Sequence, residues 1–89
     1  MVKPFFLYVC RCSDGTLYTG ISHDVEARIE RHNLGRGAKY TRSRRPVVLL
    51  AIWEYPDRSA ASKAEYAFKR LRRVEKLRRI AVFQGGGQS

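Results

Sequence analysis

Hydrophobic and polar positions divide the chain into segments of two different periods. Phe5 to Cys12 is a run of aromatic, β-branched and sulfur-bearing residues, followed by Ser13-Asp14-Gly15 and then Thr16-Leu17-Tyr18-Thr19. Two such runs joined through Asp-Gly predict a β-hairpin, because that pair supplies the positive φ angles of a tight turn. Gly20 ends the second strand at a point where a side chain would obstruct a close approach. From Asp24 to about Leu34 the pattern becomes helical, with Ser22 or Asp24 as side-chain cap, Glu26 in the first turn and Gly35 at the far end. Gly35 to Pro46 reads as a basic loop. Val47 to Glu54, which carries Trp53, is apolar almost without interruption and predicts a third strand buried on both faces.

Pro56-Asp57-Arg58-Ser59 breaks the chain and caps a second helix from Ala60 to about Arg72, whose alanines, Phe68 and Leu71 form an apolar side. A shorter third helix is expected over Val74 to Val82. Gln84 to Ser89 is Gly-rich and polar, has nothing to bury, and reads as a disordered tail after one domain over residues 1–83. The expected fold is α+β: a small three-stranded antiparallel sheet, made of the N-terminal hairpin and one later strand, flanked by about three helices.

Charge narrows the function. Eighteen Lys and Arg against eight Asp and Glu give a formal net charge of +10 on 89 residues. Solubility needs a net charge of only about 2 to 8, so an anionic partner is indicated. The basic residues are spread over turns and several elements, with no long apolar helix face to enter a membrane surface, which favours nucleic acid. Cys10 and Cys12, two apart in a strand, lie about 6.5 Å apart with parallel side chains and are not expected to form a disulfide. With no signal peptide and no apolar run of transmembrane length, a reducing cytoplasm is the expected setting. A zinc site from Cys10, Cys12, His23 and His32 matches no common ligand spacing, and the cysteines read better as small core residues.

Ionisable residues stand in the helical core stripes. Val25, Arg28, Ile29 and His32 occupy i, i+3, i+4 and i+7 on the first helix, as do Ala61, Ala64, Glu65 and Phe68 on the second. Spacing alone leaves two readings open for each. Arg28 either snorkels from the rim or, with His32, reaches a shared and partly desolvated place. Glu65 is either the partner of Lys69 one turn on or a cation ligand at the mouth of the core. Tyr8 and Tyr18, on the two strands of the hairpin, would each by itself be a packing residue with a wet hydroxyl.

Taken together, Phe6-Leu7-Tyr8, Tyr18-Thr19-Gly20, Arg28, His32 and the later helical Glu65 resemble the signature of the GIY-YIG nucleases. In that family a hairpin bears two tripeptides, the first helix an Arg about ten residues after the second tripeptide, and a later helix a metal-binding Glu. Arg28 stands 10 residues after Tyr18. The similarity runs from about Phe5 to Ile80 and is closest to the small stand-alone bacterial members, whose basic stretch Gly37-Ala38-Lys39-Tyr40-Thr41-Arg42 resembles. Phe6 replaces the Gly of the first tripeptide and Thr19 the Ile of the second. The Asn that many members carry after the Glu has no equivalent, since Asn33 is the only Asn.

The resemblance implies a metal-dependent endonuclease acting on DNA, with RNA a further possibility, and a single Mg²⁺ or Mn²⁺ on Glu65. It implies no small-molecule cofactor and no membrane partner. Tyr8 would orient or deprotonate the attacking water, Tyr18 contact the scissile phosphate or the water, Arg28 hold nonbridging oxygens and His32 relay a proton. Phosphate contacts are expected from Arg36, Lys39, Arg42, Arg44 and Arg45 in the loop and from Lys69, Arg70, Arg72 and Arg73 near the end of the second helix. Tyr40 either stacks on an unpaired base or packs. The missing Asn supports the alternative of a nucleic-acid-binding module that keeps the fold without turnover. The spacing leaves oligomeric state and preferred nucleic-acid structure open.

Overall fold

The structure, a computed structural model, describes residues 3–85. Strands β1 (Phe5–Arg11) and β2 (Leu17–Ser22) form the hairpin, helix α1 (Val25–Asn33) follows, and β3 (Val48–Tyr55) completes an antiparallel sheet of order β2-β1-β3. A four-residue helix, α2 (Lys39–Arg42), lies inside the stretch expected to be loop. Helices α3 (Arg58–Lys69) and α4 (Arg73–Gly85) end the described chain.

Local chemistry sets the boundaries. The Asp24 carboxylate accepts from the Ala27 N–H at 3.1 Å and starts α1, while Ser22 closes a small turn around Asp24. Asp57 does the same for α3 through the Ala60 N–H at 2.9 Å. Caps of this kind stabilise by about 1 kcal/mol each. At the far end of α1, the Asn33 amide exchanges two hydrogen bonds with the Val47 backbone, tying the helix to the start of β3. Asn33 is thus a structural clamp.

The sheet is covered on both faces. Leu7, Val9, Ala51, Phe68 and Ile80 form one core under α3 and α4, and Tyr8, Cys10, Cys12, Val25 and Val47 form the other beside α1. Double burial therefore falls to the central strand β1, whose Leu7 to Cys10 are all buried. The expectation of double burial for the third strand is corrected: β3 is an edge strand, with only Ala51 fully inside and Val48 and Leu49 exposed. An apolar run reports contact with apolar neighbours but not sheet order, which depends on long-range pairing. Cys10 and Cys12 are buried free thiols, and burial pushes the Cys10 thiol up to about 12.

The last helix is longer than expected and takes in the first two residues of the expected tail. Phe83 meets Trp53 edge-on at 5.7 Å and Gln84 donates to the Leu50 carbonyl at 3.0 Å, which anchors the final turn. The rest of that expected tail, residues 86–89, lies outside the described residues. No helix among the described residues is long and apolar enough to cross a membrane.

Candidate active site

The site grows from the register of the hairpin. Tyr8 on the central strand pairs with Gly20, and Tyr18 on the edge strand pairs with Cys10, so both tyrosines project from the face that α1 covers. A Cβ on Gly20 would stand 2.6 Å from the Tyr8 hydroxyl, so only glycine leaves room for that ring. Tyr8 is 1% exposed and its hydroxyl meets His32 Nε2 at 2.9 Å. On the other side of the imidazole, Nδ1 meets Thr41 Oγ1 at 2.8 Å, and Thr41 donates to the Ala38 carbonyl at 2.9 Å. Because the single Thr41 hydroxyl proton goes to a carbonyl, the consistent tautomer has Nδ1–H donating to Thr41 and Nε2 accepting from Tyr8. The Ala38 N–H also points at Nδ1, at a longer 3.4 Å, and loses that competition. Gly37 packs so close to the imidazole that a Cβ there would enter the ring.

This ordered chain of donors fixes the character of its members. Burial first, then the neighbouring Arg28, holds His32 below its usual range, so the ring is neutral near pH 7. Burial is also the main reason that Tyr8 is a far weaker acid than a free phenol. The expected part of Tyr8 as the group that deprotonates water meets an obstacle, since its hydroxyl is enclosed and already donating. Tyr18 is only half-buried, with its ring edge-on to His32 at 5.1 Å.

Two charged groups from separate helices act on these hydroxyls. Burial is the largest influence on Tyr18 and raises its pKa; Glu65 raises it further and Arg28 lowers it, and the same pair acts on Tyr8. Glu65 reaches the site because α3 packs on β2, the edge strand that carries Tyr18. On α1, Val25 and His32 are buried and Ile29 is half-buried, whereas Arg28 is exposed at the rim. Its charge is felt by Tyr8, Tyr18 and His32 from there. Arg28 lines a recess of about 260 Å³ with Ser22, His23, Asp24, Ala27 and Arg31. Tyr18 lines a second cleft, of about 340 Å³, with Leu17, Thr19, Tyr40, Lys69 and Lys76.

The basic residues singled out by sequence divide into tied and free. Arg44 pairs with Asp14 at 3.0 Å, Arg45 donates to the carbonyl of Arg42, and Arg73 donates to the Gly15 carbonyl at 3.1 Å. These three guanidinium groups brace the hairpin turn and the loop. Arg70 donates to the exposed Tyr66 at 2.9 Å. Arg36, Lys39, Arg42 and Arg72 are exposed. Tyr40, 37% exposed, has Arg44 3.9 Å above one face of its ring and the Tyr18 ring 6.1 Å away, so one of its faces is already taken. Sequence reasoning missed Thr41, Gly37 and Lys76. The first two act through a loop contact that has no periodic signature, and Lys76 joins the cleft from across the break between α3 and α4.

Glu65 is the carboxylate whose charge is felt at Tyr18, and no group of three or more His, Cys, Asp or Glu among the described residues is arranged to hold a metal. That donor set suits a hard cation such as Mg²⁺, which keeps several waters and takes one or two carboxylates plus substrate phosphate oxygens. A cation already sits there in the form of Lys69 Nζ, 3.3 Å from the carboxylate, so the position accepts positive charge. Of the two readings of Glu65, the ion pair with Lys69 is the one present in the structure.

A model of the family described as the GIY-YIG catalytic domain matches residues 4–78. A UPF0213 protein of Staphylococcus aureus is 53% identical over 75 residues, which make up 84% of this chain and 92% of that one. Two solution NMR structures share the fold. The UPF0213 protein BH0048 from Bacillus halodurans has 40% identity and a TM-score of 0.58, covering 89% of this chain and 84% of its own. The protein EF2693 from E. faecalis has 40% identity and a TM-score of 0.63, covering 92% and 88%.

Proposed function

Given that this chain belongs to the GIY-YIG family, we propose that it is a metal-dependent endonuclease hydrolysing phosphodiester bonds in DNA, with branched or single-stranded DNA as the substrate class. The observation that carries the reading is that α3, which bears Glu65, packs on the strand that bears Tyr18, whose hydroxyl feels the charges of both Glu65 and Arg28 beside a cleft lined by two lysines. In hydrolysis the water oxygen attacks phosphorus in line, the bond to the leaving oxygen breaks, and the proton lost by the water ends on that oxygen or in solvent. Glu65 would hold a Mg²⁺ or Mn²⁺ ion, which would supply Lewis-acid stabilisation of the developing charge. Arg28 holds the nonbridging oxygens. The Tyr18 hydroxyl, half-buried at the cleft and kept protonated by burial, orients the water by hydrogen bonding while the water's proton passes to the leaving oxygen or to solvent. Tyr8 and His32 act behind it as positioning residues, since each is fully buried and hydrogen-bonded to the other.

Incubating the protein with duplex, flap, junction and single-stranded substrates, with and without divalent metal, tests the reading. Metal-dependent nicking supports it. The second reading, a binding module without turnover, draws on the occupied state of Glu65 and the absent Asn; metal-independent binding with no cleavage on any substrate would favour it. Binding itself is expected to be steeply salt-dependent. If about five phosphates are neutralised, log affinity for duplex DNA falls with log salt at a slope of about −4.5. A slope near zero in a filter-binding or anisotropy titration would contradict a phosphate-driven interface.

The Gly20 contact gives a stability prediction. Gly20→Ala forces a methyl group against the Tyr8 hydroxyl and ring in the middle of the sheet. Overpacking of this kind costs about 1 to 3 kcal/mol, to be read from urea denaturation; a neutral substitution would mean that Tyr8 has another place to go.

A further inference from the structure

Lys69 stands between a carboxylate that attracts cations and a cleft that attracts anions. Its ammonium pairs with Glu65 at 3.3 Å, the two side chains being 54% and 24% exposed. The same side chain lines the cleft that holds Tyr18, Tyr40 and Lys76. That cleft carries two ammonium groups and no carboxylate, and its roughly 340 Å³ holds about eleven waters or one hydrated phosphodiester group. The Glu65 carboxylate, by contrast, is the position argued above for a divalent cation. A metal ion and the Lys69 ammonium cannot share it without strong repulsion at a few ångströms.

We infer that the cleft between Tyr18, Tyr40, Lys69 and Lys76 is a subsite for a backbone phosphate next to the scissile one, and that Lys69 fills it by leaving Glu65. The ion pair is of the exposed i, i+4 kind, worth only about a 2-fold preference, so a phosphate and a metal together displace it easily. Lys76 belongs to the subsite alone, because no ion pair ties it to Glu65. The exchange makes metal and nucleic acid help one another: each removes what the other would have to displace, and by linkage the help is equal in both directions. Metal binding in the absence of nucleic acid is held down by the protein's own cation.

This inference rests on the nuclease reading of Glu65, and the test separates the two. Free Mn²⁺ is measured by EPR against the whole protein without nucleic acid. Lys69→Met is expected to bind Mn²⁺ about 3- to 10-fold more tightly than the wild type, while Lys76→Met stays within about 2-fold of it. In EDTA, both variants are expected to bind a short fluorescein-labelled single strand more weakly, each with a salt slope lower by about 0.7. Opposite signs for metal and oligonucleotide in Lys69→Met, with only the oligonucleotide effect in Lys76→Met, are the signature of the exchange. If Glu65→Gln removes Mn²⁺ binding but Lys69→Met does not tighten it, the exchange is wrong and the metal reading stands. If Glu65→Gln leaves Mn²⁺ binding unchanged, both fall. If neither lysine substitution weakens the oligonucleotide, the phosphate subsite is wrong.

Discussion

Glu65→Ala and Arg28→Ala are each expected to lower the rate of Mg²⁺-dependent DNA cleavage by about 100- to 1000-fold while leaving the affinity for DNA within a few-fold of the wild type. The reason lies in what each group contributes. In the proposed mechanism Glu65 would hold the cation and Arg28 would supply positive charge where the phosphate oxygens gain negative charge; both charges are felt at Tyr18. Such interactions strengthen in the transition state, and removing one donor of this kind costs about 100- to 1000-fold in turnover. Affinity rests elsewhere, on a net charge of +10 that loses one unit in one variant and gains one in the other. Single-turnover cleavage and anisotropy on the same samples separate the two quantities. Equal losses in both would mark these residues as part of the general binding surface.

The second large effect concerns the buried chain of hydroxyl, imidazole and hydroxyl. His32→Leu removes the acceptor of the Tyr8 hydroxyl and the partner of Thr41, both enclosed. An enclosed donor without an acceptor costs about 1 to 3 kcal/mol, and in a domain of this size each kcal/mol lowers Tm by about 4 to 8 °C. The wild type also carries a pH signature. Facing His32 are Tyr8 from β1, Tyr18 from β2 and Arg28 from α1, all neutral or positive near pH 7. With its folded pKa held below the unfolded value of about 6.5, His32 takes up a proton more readily in the unfolded chain. Its contribution to stability is therefore complete above about pH 6.5 and is lost as pH falls through and below that value. Urea denaturation at pH 7.5 and 5.0, expected to separate in the wild type, should separate less in His32→Leu; an unchanged separation would assign the pH dependence to other groups.

How much of this was legible in the sequence differs from element to element. The hairpin was, because Asp14-Gly15 between two apolar runs is a local signal. The helical stripes were also local, and they correctly set His32 and Phe68 facing the interior. The difference between Tyr8 and Tyr18 was not. In sequence both are strand tyrosines, and only the sheet order puts Tyr8 on the central strand under Gly20 and Tyr18 on the edge beside α3. The same order corrected the burial of β3. The helix α2 escaped notice because four residues give no period, and with it went the contact of Thr41 with His32. The tied arginines look the same in sequence as the free ones, since Arg44, Arg45 and Arg73 find their acceptors through the tertiary path of the chain.

The central claim is geometric: one divalent cation, held by Glu65, sits within reach of both Tyr18 and Arg28. Paramagnetic broadening by Mn²⁺ in two-dimensional NMR of the protein with a short single-stranded DNA tests it directly. The account predicts that resonances of Glu65, Tyr18 and Arg28 broaden together, at the lowest Mn²⁺ additions, and recover with EDTA. Broadening centred instead on other carboxylates, such as Glu26 and Glu30 on the outer face of α1, with the Glu65 and Tyr18 signals intact, would contradict it.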